Sequence, residues 1–158
     1  MSEQQELLKL LEIISQRVQH CHDALWEEAK HYSWWVYIIF AGLISLYLYF
    51  RLSENALLEA WQQALLMGLG NAFGVFISVM GFNAIRLESK YFKDARRMRN
   101  CILADLKGVD QSIKEKFDPV KDKEGFGIRS GFKLTFLITA FLFLLFGILS
   151  VLTLLSGS

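Results

Sequence analysis

Residues 64–85 read ALLMGLGNAFGVFISVMGFNAI without one charged side chain, and residues 86–97 continue directly as RLESKYFKDARR. The first stretch is as long as a helix rising about 1.5 Å per residue needs to be to cross a hydrocarbon layer of roughly 30 Å. Two more apolar blocks flank it, one from Trp34 to Phe50 and one from Lys133 to Leu155, the latter uncharged after Lys133. Backbone polar groups in lipid must be satisfied within the segment, and none of the blocks alternates as a barrel strand does. The reading is an all-α integral membrane protein with three transmembrane helices, at about 34–50, 64–85 and 133–155.

The chain has 158 residues, 53% of them hydrophobic, with a single proline and a net charge of +1 that hides a steep asymmetry. Lys and Arg number three against six Asp and Glu over residues 1–33, one against two over 51–63, and thirteen against eight over 86–133. Cationic residues beside a span resist translocation whereas acidic ones contribute little, so the basic segment is expected in the cytoplasm. That puts the N-terminus inside, the short 51–63 connection outside and the C-terminus outside. The first block is expected to be retained rather than cleaved as a signal peptide, because a long polar stretch precedes it and no small-residue cleavage site follows. Cys21 and Cys101 then both face a reducing compartment and are expected as free thiols.

Residues 1–33 form the first unit, a cytoplasmic amphipathic helix continuous with the first span. Leu7, Leu11, Ile14, Val18, Cys21 and Leu25 recur at alternating spacings of four and three, the seam of a coiled coil or bundle. One helix is predicted from Glu3 to Phe50 behind an N-cap at Ser2, entering the membrane at Tyr32, Trp34, Trp35 and Tyr37, with Tyr47 and Tyr49 at the far interface. The outer connection carries Ser53, Leu57, Leu58 and Trp61 and reads as a small interfacial helix. The rest, 34–155, is the membrane domain, which includes the basic helix and loop 86–132. Tyr91, Ala95, Met98 and Ile102, then Leu106, Val109 and Ile113, extend an apolar face to about Phe117, before Pro119. Residues 118–132, with Gly125, Gly127 and Gly131, read as a loop returning to the membrane.

The basic helix holds the most informative pattern. Arg86, Lys90, Lys93 and Arg97 fall within a band about 60° wide at ~100° per residue. Such a stripe suits a phosphate, a nucleotide or a nucleic-acid strand. A solvated face beside anionic headgroups, with Lys90–Asp94 and Asp110–Lys114 as helical pairs, produces the same pattern. Arg96 and Arg99 flank the stripe. In the second span Gly70, Gly74 and Ser78 repeat every four residues beside Asn71, with Gly81 beyond, which favours close helix approach. In the third, Thr135, Thr139, Ser150 and Thr153 lie on one face with Leu142 and Phe146 between them, again within about 60°. With Asn71 these are the candidate pore-lining residues, since hydroxyls interrupted by bulky apolar groups suit a pore with a dewetting gate. Hydroxyls bonded to their own helix and packed against a neighbour account for the line equally simply. No catalytic constellation, cofactor motif or metal set emerges, because His20, Cys21 and His22 are adjacent and point in different directions. The chain is therefore not expected to be an enzyme.

The close pair of spans followed by Arg86-Leu-Glu-Ser-Lys-Tyr-Phe-Lys-Asp-Ala-Arg-Arg-Met-Arg-Asn100 resembles small prokaryotic membrane effectors of antiphage defence. These include the SMODS-associated transmembrane effectors, which accompany nucleotidyltransferases, and the membrane subunit of Hailong-type systems. The third span departs from the simplest, two-span members. The resemblance implies a homo-oligomeric ion channel in the lipid membrane, controlled by a nucleotide or single-stranded oligonucleotide made by a partner nucleotidyltransferase. A membrane scaffold that recruits a cytoplasmic partner without permeation is the competing expectation.

Overall fold

The computed structural model describes residues 3–53, 58–105 and 127–156. They form three helices: α1 at Glu3–Leu52, α2 at Ala60–Asp105 and α3 at Ile128–Ser156. Their 50, 46 and 29 residues correspond to about 75, 69 and 44 Å at ~1.5 Å per residue. Each is long and apolar enough to cross a membrane.

Helix α2 is the centre of the bundle and packs closely on both neighbours. It runs antiparallel to α1, with Leu43 at Gly70 and the rings of His22 and Phe92 paired. It also runs antiparallel to α3, with Gly74 at Phe143, Gly81 at Phe136 and Asn71 at Gly147. Helices α1 and α3 are parallel and meet through aromatic rings, Trp26 on Phe132, Tyr32 on Phe136 and Phe40 on Phe143.

A heptad explains why α2 takes the middle. Ala64, Asn71, Ser78, Ile85, Phe92 and Arg99 are separated by seven residues each, and all six are buried. Met67, Gly74, Gly81 and Ala95 are buried on the second line of the same seam, where the half-buried Glu88 stands between the last two. An apolar repeat of 3.5 residues keeps one seam facing its partners when helices supercoil left-handedly. Within the apolar stretch the seam is made of small residues. A Cβ on Gly74 would sit 2.5 Å from the Phe143 ring, and one on Gly81 would sit 2.7 Å from Phe136. The absence of side chains there lets two fully buried phenylalanines lie against the α2 backbone.

Local chemistry sets the helix ends. Glu59 precedes α2, and its N–H donates to Gln62 Oε1 at 3.0 Å while Gln62 N–H donates back to the Glu59 carbonyl at 2.9 Å. The Gln62 side chain thus supplies one half of a capping box, and the second bond is backbone to backbone. Trp61 therefore belongs to α2 and not to a separate interfacial helix. Helix α3 begins at Ile128 rather than after residue 132, because the Gly127 carbonyl accepts from both Ser130 and Gly131 N–H. Gly131 lies inside the first turns of α3 and is not a bend. The expected cap at Ser2, the 106–117 continuation, Pro119 and most of the returning loop lie outside the described residues.

Candidate functional site

All four side chains of the stripe, Arg86, Lys90, Lys93 and Arg97, are exposed on α2. Among the described residues no salt bridge engages any of them, and Lys90 and Asp94 do not close the expected helical pair. The heptad divides the stripe in two. Arg86 and Lys93 share the register of Ala72, which lines a groove between α2 and α3. Lys90 and Arg97 share the register of Leu69 and Phe76, which point away from the bundle. One half thus borders α3 and the other faces outward.

Helix α3 answers the bordering half with charge of the same sign. Its α2-facing positions include Phe136, Phe143 and Ser150, all buried, and Arg129 continues that line one heptad earlier. The Arg129 guanidinium carbon lies 3.4 Å from the Phe92 ring centre, a cation–π geometry. Lys133 occupies the other α2-facing line, two and three heptads before the buried Gly147 and Leu154. These α3 residues were not part of the stripe read from the chain, since contact between helices is not visible in a single helix projection.

Arg99 departs further from expectation. It flanks the stripe in a helix projection, yet it is 5% exposed, and its Nε is buried with no hydrogen-bond partner among the described residues. The pairing of His22 with Phe92 sets Ser15 level with Arg99 two turns farther along each helix, and the Ser15 hydroxyl is likewise buried and unpartnered. The apolar face is also turned by one residue. Phe92 and Ala95 are buried, whereas Tyr91 and Met98 are 49% and 56% exposed. Counting by sevens from Ala64 would have found both Phe92 and Arg99.

The hydroxyl line of α3 is split by the same arithmetic. A straight projection repeats every 3.6 residues, but packing repeats every 3.5, so residues that look collinear face different neighbours. Thr139, Phe146 and Thr153 face α1, where Phe146 meets the rings of Phe40 and Tyr47. Ser150 is buried on the α2 side, while Thr135 and Leu142 are exposed. Thr135, Thr139, Ser150 and Thr153 each donate to a carbonyl of their own helix, at 2.7–3.1 Å. With the Thr153 proton used in this way, the Tyr47 hydroxyl 3.2 Å away is the donor between the two helices. Asn71 is buried against Gly147; its Nδ2 donates to the Met67 carbonyl at 2.8 Å, and its Oδ1 has no partner. The structure does not bring Asn71 and the six-residue line of α3 together on one surface of the single chain. Cys21 is buried in the α1–α2 seam and Cys101 is exposed, both as free thiols.

No family model, curated protein or solved structure matches the chain.

Proposed function

We propose that this protein is an oligomeric, channel-like effector of a bacterial inner membrane, controlled by an anionic nucleotide or single-stranded oligonucleotide and acting in antiphage defence. One observation carries the reading. Four exposed cations without salt bridges among the described residues stand on the same unbroken helix that forms the small-residue centre of the membrane bundle. A phosphate chain bound along Arg86, Lys90, Lys93 and Arg97 would pull directly on α2, with no hinge to absorb the force. Helix α2 in turn contacts α3 through Gly74, Gly81 and Asn71, so a small rotation would be felt along the whole span.

Several copies are needed for permeation, because one bundle fills its own interior with Phe136, Phe143 and Met67. Large apolar side chains such as Phe73, Phe76, Phe141 and Ile148 are more than half exposed and supply surface for lipid and for neighbouring copies. The exposed Thr135 and Leu142 would line the path in such an assembly. The defence role rests on the resemblance of the two close spans and basic helix, and the ligand would come from a partner nucleotidyltransferase.

Planar-bilayer recording of the purified full chain, with and without a single-stranded oligonucleotide, tests the reading. The expected result is a conductance that the oligonucleotide changes, and that Lys90→Glu with Arg97→Glu makes insensitive to it. A silent bilayer in both conditions, accompanied by a stable soluble partner in pull-downs, would replace it with the scaffold alternative.

A further inference from the structure

One polar side chain inside the membrane bundle is left incomplete. Asn71 is 3% exposed; it donates one Nδ2 hydrogen to the Met67 carbonyl at 2.8 Å, and its Oδ1 has no partner among the described residues. An amide carries two N–H donors, so the second Nδ2 hydrogen is unanswered as well. Asn71 also lines a groove of about 350 Å³ between α2 and α3, where it is the one polar side chain. Gly68 and Ala72 keep the α2 wall low, and Ile148 and Leu152 of the α3 wall are 61% and 58% exposed. The groove therefore lies open to whatever surrounds the bundle.

The depth of the groove narrows its occupant. An amide with unanswered hydrogen-bonding groups is costly in hydrocarbon, and an acyl chain has nothing to offer it. A fitting occupant brings an apolar ridge with one hydrogen-bonding group at that depth.

Helix α1 carries such a ridge. Leu43 faces α2 at Gly70, so Ala41 and Ser45, each two residues away, lie on the opposite face of α1. Both are exposed, as is Gly42, and nothing lies within 4 Å of a Cβ added to Gly42. Small residues in this arrangement let another helix backbone come close. The Ser45 hydroxyl donates to the Ala41 carbonyl at 2.9 Å, which leaves its oxygen able to accept from an amide N–H. The antiparallel register set by Leu43 and Gly70 puts Ala41 level with Ala72 and Ser45 level with Gly68. Ridge and groove thus stand at one height on different helices. Rotation about an axis normal to the membrane preserves height, so a head-to-tail contact between them can close on itself.

We propose that the α2–α3 groove of one copy receives the Ala41, Gly42 and Ser45 face of α1 from the next copy, whose Ser45 hydroxyl completes Asn71, so that the copies close into a ring. The inference rests on the reading of the chain as a membrane oligomer but not on conduction.

The test uses full chains in cell membranes, with both native cysteines replaced by Cys21→Ser and Cys101→Ser. One protein carries Ala41→Cys and the other Ala72→Cys, and the two are co-expressed and oxidised. Disulfide-linked mixed dimers are expected, at least about tenfold above dimers of either protein with itself. Adding Gly42→Phe to both should cut the mixed product at least about tenfold, with the thermal melting of the bundle unchanged. Adding Ser45→Ala should cut it about threefold, the effect of one modest hydrogen bond between membrane helices. Dimers of the Ala41→Cys protein with itself, in place of mixed ones, would show α1 faces meeting about a two-fold axis and overturn the ring. Absence of mixed dimers, or mixed dimers indifferent to Gly42→Phe, overturns it too and leaves the groove to lipid. Mixed dimers from a protein silent in planar bilayers would uphold the ring and count against the channel reading alone, whereas conductance without mixed dimers would overturn the ring alone.

Discussion

The two halves of α2 follow one heptad but differ in the side chains that fill it. From Ala64 to Gly81 the buried positions are Ala, Met, Asn, Gly and Ser, and beyond Ile85 they are Ser89, Phe92, Ala95 and Arg99. In hydrocarbon there is no hydrophobic gain from bringing helices together, so close van der Waals contact must hold them, and small residues allow it. Where water surrounds a helix, burial of apolar side chains adds a hydrophobic drive, and Phe92 is the large apolar side chain of this half. Arg86 is the first charged side chain after the small-residue stretch of the same continuous helix.

The largest way to break the comparison is to add bulk to the tight half. Gly74→Leu drives a side chain into the fully buried Phe143 ring and is expected to cost about 3 kcal/mol or more. Unfolding in mixed micelles measures it, and a small cost would mean that α3 does not approach α2 as closely as described. In the loose half, the unpartnered Arg99 Nε points the other way. Arg99→Met should stabilise the same unfolding transition by about 1–2 kcal/mol, because a guanidinium whose buried Nε has no acceptor among the described residues is replaced by an apolar side chain of similar reach. Marked destabilisation would reveal an anionic partner for Arg99. The smallest effect sharpens the role of space at a glycine. Gly131 has nothing within 4 Å of an added Cβ, so Gly131→Ala is expected to stabilise by about 0.5–1 kcal/mol through helix propensity alone. Gly74 and Gly131 would then respond with opposite sign to added side chains.

Much of this architecture was legible in the chain because length and hydrophobicity are one-dimensional properties. The first helix was expected at Glu3–Phe50 and runs Glu3–Leu52, and the three apolar blocks all lie in long helices. The boundary of α3 was less legible, since Gly127 and Gly131 look alike as residues. Only the hydrogen bonds to the Gly127 carbonyl distinguish the cap from the helical glycine. The candidate site was legible as a stripe but not as two halves. Whether Arg86 borders α3 while Lys90 does not depends on a register between helices distant in sequence. Arg99 was missed because charge alone suggests solvent, and Tyr91 was preferred to its neighbour Phe92 because a 3.6-residue projection separates adjacent residues poorly over several turns. Asn71, a polar side chain within an apolar stretch, is buried against Gly147.

The account depends above all on α2 crossing the membrane with its basic end inside, where a ligand made in the cytoplasm can reach Arg86 to Arg97. The native thiols allow a direct measurement, because Cys101 is exposed on that end and Cys21 is buried. In a Cys21→Ser background, a membrane-impermeant maleimide applied to intact spheroplasts should leave Cys101 unlabelled until the membrane is permeabilised. Leu58→Cys, placed in a background lacking both native cysteines, should label at once. Immediate labelling of Cys101 with protection at position 58 would invert the topology and remove the basic stripe from any cytoplasmic ligand.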